Sequence, residues 1–178
     1  MRDIEPGGPL TVTGRLIVAS PSLVDPNFAR TIVVVCEHDD DGAIGVVLNR
    51  ATSEPVDAHL PHLADHLTAP PVVFVGGPVQ PEVAVALAEG TDAPFLGEVG
   101  LADPEVEPPG RVRVFAGYAG WGPGQLDAEL EEGAWAVVDA DPDDVFHSEP
   151  DRLWEHVLRR QRGDVALWVT LPADPTLN

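Results

Sequence analysis

The sequence contains no lysine at all, and its ten basic residues are all arginine. That absence removes Schiff-base chemistry and the lysine of a phosphate-binding P-loop. One cysteine, Cys36, rules out an intramolecular disulfide and suits a reducing cytoplasm, where we expect the protein to reside. Apolar runs such as Thr31–Cys36 fall far short of the ~20 residues a membrane span needs, and no apolar stretch follows Arg2 as a signal peptide requires. No membrane association is expected. Positive charge is scarce everywhere. Thirty acidic residues against ten arginines leave a net charge of −20. Residues 1–89 hold four arginines against twelve acids and the remainder six against eighteen, so no basic segment hides within the average. Such a field repels nucleic acid and anionic lipid.

What is present describes a folded domain. Apolar residues make up 44% of 178 residues, enough for a sizeable core. Residues 1–13 read as a flexible lead-in and 14–178 as one compact domain. Strands are predicted over Arg15–Ala19, Thr31–Glu37, Ala43–Leu48, Val72–Val75, Arg111–Phe115, Trp135–Asp139 and Asp164–Thr170. Asp39-Asp40-Asp41-Gly42 joins the second and third as a hairpin, because glycine accepts the positive φ of a tight turn. Helical spacing marks Val56–Leu67, Pro81–Ala88, Gln125–Glu132 and Asp151–Arg160. Thr91–Gly110 reads mostly as loop and Gly117–Gly124 as a glycine-rich turn. The fold class is α/β.

The chemistry-bearing motifs each have an ordinary structural explanation. Gly120, Gly122 and Gly124 precede a helix, with Asp139 ending the next strand, which is reminiscent of a dinucleotide fingerprint. The order is G-x-G-x-G, however, Pro123 lacks an N–H, and Asp127, Glu129, Glu131 and Glu132 would oppose a pyrophosphate, so a tight turn is the better reading. Gly76-Gly77-Pro78 sits at a strand end, where glycine serves geometry as readily as anion binding. His59, His62, Asp65 and His66 lack a zinc-protease pattern and read as a solvated helix face, with no metal expected. Asp39–Asp41 are adjacent rather than alternate, unlike a calcium loop. Cys36 and His38 share a strand face but lie about 6.7 Å apart on an extended chain. Arg152, Arg159, Arg160 and Arg162 cluster by one helix, where its dipole accounts for them. No G-x-S-x-G elbow surrounds Ser20 or Ser22.

Taken together, several strings resemble the YqgE/AlgH family of bacterial proteins: Gly14-Arg15-Leu16-Ile17-Val18-Ala19-Ser20-Pro21, Asp25-Pro26-Asn27-Phe28-Ala29-Arg30, Cys36-Glu37-His38 and Gly42–Arg50. Gly76-Gly77-Pro78-Val79, the specific run Gly117–Leu126, and Gly133-Ala134-Trp135 extend the match across most of Gly14–Trp168, while Gln80–Gly110 departs from it. The resemblance implies a mixed, largely antiparallel sheet flanked by helices. It implies no reaction, although some members carry the label of transcriptional regulator. With neither a helix-turn-helix nor a basic face, regulation here would run through a protein partner.

Two function classes follow. One is a non-enzymatic binding or regulatory protein with a protein or small-molecule partner, without catalytic residues or cofactor. The other is an enzyme or nucleotide binder using the glycine-rich turns at Gly76-Gly77 and Gly117–Gly124. Either way, polar and glycine-rich strings gather at strand ends, where pockets form. Asn49, Arg50, Gly76, Gly77, Gly117, Tyr118, Gly120, Trp121 and Gln125 are therefore the candidate ligand-binding residues, of which Asn49, Arg50, Gly76, Gly77, Tyr118 and Trp121 are expected to line one cleft. Arg50 is the expected anion contact, because its fork suits a carboxylate or phosphate. The charge balance also yields a direct expectation: at physiological salt and micromolar protein, a gel-shift assay with duplex DNA shows no retarded band.

Overall fold

The fold follows from how continuously apolar strands are covered on both faces. The computed structural model describes residues 11–89, 103–105 and 107–172. Its strands are β1 (Leu16–Ala19), β2 (Ile32–Asp39), β3 (Gly42–Val47), β4 (Ala51–Pro55), β5 (Val72–Val75), β6 (Val79–Ala88), β7 (Val112–Trp121) and β8 (Trp135–Val138). They form one eight-stranded sheet in the order β4-β5-β7-β3-β2-β1-β8, with β6 also on β7. Every pairing is antiparallel except β5 with β7. The α-helices are α1 (Gln125–Glu131), α2 (Pro142–Val145), α3 (Pro150–Arg159) and α4 (Asp164–Leu167). The expected mixed α/β class, with a largely antiparallel sheet, is what this chain forms.

Alternate residues of β1 serve opposite cores. Leu16 and Val18 join Ile32, Val34, Val46 and Phe115 beneath Leu153, Trp154, Val157 and Leu158 of α3. Ile17 and Ala19 join Val33, Val35, Val47 and Leu126 of α1. Burial on both faces explains why these strands read as unbroken apolar runs. Val12 also packs into the second cluster, so the packed body begins before Gly14. A third cluster, around Val56, Leu63, Val112 and Val114, fills the space beside β6 and β7.

The register of β7 imposes an unusual link. Both β5 and β6 pair with Phe115 and Ala116, so they lie on opposite edges of β7. Gly76-Gly77-Pro78 must cross β7 between them. A Cβ on Gly77 would stand 2.2 Å from the Tyr118 carbonyl, and one on Gly76 2.2 Å from the Gly117 oxygen. Glycine is obligatory at both positions because no side chain fits at those distances.

Several expectations are corrected. Pro81–Ala88 is strand rather than helix, since Ala84–Ala88 take the edge of β7. Asp164–Thr170 is helical, which brings Val165, Trp168 and Val169 against the α3 core as i, i+3 and i+4 neighbours. The supposed turn at Gly117–Gly124 is strand as far as Trp121. The helix expected over Val56–Leu67 contracts to a 3₁₀ turn at Pro61–His66. β4 has no counterpart among the sequence expectations. Much of Thr91–Gly110 lies outside the described residues, as do Met1–Leu10. The hairpin forms as expected, with Asp39 opposite Gly42.

Ion pairing holds the α2–α3 corner. Asp144, 2% exposed, accepts from both Arg160 Nη atoms and, through Oδ2, from the backbone N–H of Asp141 at 2.7 Å. These bonds hold the Arg160 guanidinium above its ordinary pKa. Arg160→Ala would strand a buried carboxylate and is expected to cost about 3 kcal/mol. Arg160→Lys, keeping charge but losing the fork, should cost roughly half that. Urea denaturation midpoints of the two variants check the order.

Candidate functional site

The nine candidate residues separate into two groups. Asn49 accepts from Ile32 N–H at 2.9 Å through Oδ1 and donates to Arg30 O at 2.9 Å through Nδ2. Arg50 donates to Pro26 O at 2.7 Å and Ala29 O at 3.1 Å. Both side chains are engaged in tying down the loop between β1 and β2. Arg50 and Gly77 border a pit of only about 50 Å³. Gly76 and Gly117 belong to the crossing link. Tyr118, Gly120 and Trp121 instead border an open depression of about 520 Å³. Gln125 lies next to it, accepting from Gly122 N–H at 3.1 Å.

Strand geometry explains the separation. Ala43 pairs with Trp121, and Arg50 follows seven residues later along the chain. At about 3.3 Å per residue, seven residues span at most roughly 23 Å, and Arg50 lies beyond the end of β3 at Val47, away from the hairpin. The candidates therefore border two different recesses rather than the single cleft expected from sequence, with the Gly77–Tyr118 backbone contact between them. Only the one containing Tyr118 and Gly120 has the volume of a ligand site.

That depression occupies one face of the sheet at the hairpin end. Glu37 of β2 pairs with Ile44 of β3, Ile44 with Gly120 of β7, and Tyr118 with Val79 of β6. Elsewhere the same face is packed by α3, but Ile44 remains 42% exposed. Trp121 borders the depression by its backbone, while its indole packs in the cluster on the opposite face. The rim carries Glu37, Asp39 and Asp41. None of the three has a cationic partner among the described residues.

Gly120 is the informative floor residue. A Cβ there would meet only Tyr118 and Val79 side chains at 3.7 Å, ordinary contact distance. The fold does not demand glycine at this position, whereas it does at Gly76 and Gly77. What glycine provides at 120 is open space.

One residue missed by the sequence reading supports this region from below. Glu129 Oε2 accepts from Trp121 Nε1 at 2.9 Å and Trp135 Nε1 at 2.8 Å, and Oε1 accepts from Gln125 at 3.0 Å. Phe28 packs edge-on against Trp135 at 5.6 Å. Because Glu129 sits on a helix rich in acidic residues, nothing in its local sequence sets it apart.

The remaining candidates take structural places. A bulge between Val35 and Glu37 turns Cys36 into the α3-side core and sets His38 opposite Ala43, toward the other face. Burial, reinforced by Glu37, pushes the Cys36 thiol up to about 12. His38 accepts from Val12 N–H at 3.3 Å and approaches Asp127 at 3.4 Å. His59 pairs with Glu54, and His66 with the Gly110 carbonyl. Arg152 and Arg159 pair with Glu149 and Glu155 on their own helix surface. No described helix is long and apolar enough to cross a membrane.

Comparison with known proteins places this geometry in context. The AlgH-like family model matches residues 16–166. The chain belongs to the AlgH-like family. A UPF0301 protein of Streptomyces coelicolor is 49% identical, the match covering 94% of this chain and 96% of the relative. A UPF0301 protein of Thermobifida fusca is 43% identical, over 95% of this chain and 96% of its own. Among solved structures, a Corynebacterium diphtheriae protein superposes with a TM-score of 0.78 at 31% identity, covering 96% of this chain and 95% of that one. The AlgH protein of Pseudomonas aeruginosa, solved in solution, gives 0.65 at 28% identity, covering 95% and 98%. The two solved structures share the chain's fold across nearly its whole length.

Removal of the Glu129 carboxylate tests its supporting role. Glu129→Ala leaves two indole N–H groups without their acceptor and should cost about 2–3 kcal/mol. Glu129→Gln retains an acceptor and should lose less. Urea unfolding measures the cost, and tryptophan emission of the native variant should shift to the red.

Proposed function

We propose that this protein is a non-enzymatic binding protein that receives a partner in the depression at the hairpin end of the sheet. The observation that carries the reading is Gly120, a floor position kept empty although the fold leaves room for a side chain there. A volume of about 520 Å³ is within the range of small-molecule and peptide sites. The lining combines aliphatic groups, one phenol and three carboxylates, a set suited to holding a partner. Any regulatory role would then be exerted through the bound partner. The nucleotide-binding alternative has less support, because Gly117–Trp121 are strand and carboxylates rim the space.

A thermal-shift screen of metabolites and short peptides tests the reading, since a ligand that favours the native state raises the melting temperature. Ligands of the depression should raise it in the wild-type protein and lose most of that effect in Gly120→Val, whose methyls fill the floor. Shifts of equal size in wild type and Gly120→Val would place binding elsewhere.

A further inference from the structure

The chemistry of the depression also specifies what its occupant must carry. Resting on the proposed binding role, we infer that the partner is an extended protein segment in which basic and apolar residues alternate. The floor is apolar: Ile44 is 42% exposed, beside Val79 and the ring of Tyr118. Ile44 is the most exposed of these apolar groups, so the floor is open to contact from outside. Above the floor stand Glu37, Asp39 and Asp41, and no arginine or histidine lines the space with them. Eight of the nine described arginines are engaged elsewhere: Arg15, Arg111, Arg152, Arg159 and Arg160 with carboxylates, Arg50 and Arg113 with carbonyl oxygens, and Arg30 over the Trp154 ring; the ninth, Arg162, follows α3 and does not line the depression. Among the described residues no cation reaches the rim carboxylates, which face the open depression.

An alternating segment satisfies both demands at once. In an extended chain, successive side chains project to opposite sides, with like-facing residues about 6.6 Å apart. One set can cover Ile44 and Tyr118 while the other reaches the rim acids. An arginine does this best, since its fork meets a carboxylate with two parallel bonds and its stem covers apolar surface. An anionic segment, or a nucleic-acid strand, would meet three negative charges with no compensating cation in the lining.

Tyr118 is the chain's only tyrosine and lies in the floor, so it reports on the site without ambiguity. Full-length protein grown with 3-fluorotyrosine should show one ¹⁹F resonance. The probe is a capped hexapeptide alternating arginine with leucine. Control peptides replace arginine by citrulline, arginine by glutamate, or leucine by glycine. The basic apolar peptide should move the resonance saturably, more weakly at high salt. The glutamate peptide should not move it, and the citrulline and glycine peptides should bind at least several-fold more weakly. The double variant Glu37→Gln/Asp41→Asn should weaken binding about tenfold, at roughly threefold per carboxylate removed. Equal binding of the citrulline peptide, or an unchanged affinity in the double variant, would overturn the basic partner and leave the depression as a binding site. An unmoved resonance with every peptide overturns the segment itself. The wider reading falls separately, on ligands whose thermal shifts survive Gly120→Val.

Discussion

The crossing of Gly76-Gly77-Pro78 over β7 is the constraint on which the rest of the sheet depends. Gly76 donates its N–H to Ala116 O at 2.9 Å and accepts from Val47 N–H at 2.8 Å, lying between β7 and β3. Gly117 reciprocates with a φ of +71° at the point of closest approach. Because β5 arrives on one edge of β7 and β6 must leave on the other, the backbones touch where any Cβ would collide. The crossing also sets where β6 begins. Val79 meets Tyr118, so the last residues of β7, Ala119–Trp121, extend past the start of β6 toward the hairpin. The depression lies at that projecting end, outside the part of the face that α3 packs.

A second consequence is the division of labour among polar groups. Asn49 and Arg50 hold the long β1–β2 loop by satisfying its carbonyl and amide groups, which would otherwise be unpaired. Arg113, buried without a carboxylate, donates to His147 O, Ala69 O and the Thr68 hydroxyl, and burial lowers its pKa to about 10. Arg111 forks onto Glu89 and reaches Asp143. Positive charge is therefore spent on the architecture, while much of the acidic excess faces solvent. That imbalance gives the rim of the depression its character.

Membership in the AlgH-like family and the likeness to solved relatives agree on the fold over nearly the full length. The functional argument rests on local geometry instead. Gly120 and Gly77 look alike in sequence, but one glycine is demanded by a backbone 2.2 Å away and the other is not. Only that contrast separates a glycine that builds the sheet from one that leaves room above it. Glu129 makes the same point in reverse, an acidic residue among many whose oxygens anchor two indoles.

By itself the sequence determined the α/β class, the β2–β3 hairpin, helices α1 and α3, and six of the eight strands, because each is written in local periodicity and turn chemistry. Apolar Thr31–Cys36 and the Asp-Gly turn leave few alternatives, and the spacing of Leu153, Trp154, Val157 and Leu158 marks the buried face of α3. Only the tertiary structure decided the remainder. Val79–Ala88 combines alternating valines with helix-forming alanines, and it becomes strand because β7 offers an unpaired edge. Val165–Val169 is β-branched at both ends, yet helical spacing is what lets it cover α3. The candidate site followed the same rule. Tyr118 and Gly120 were legible as a glycine-aromatic string, whereas Arg50 lies past the far end of β3 and ties down the β1–β2 loop instead. Register decides which strand ends meet, and register is a property of pairing between distant segments, which local sequence does not encode.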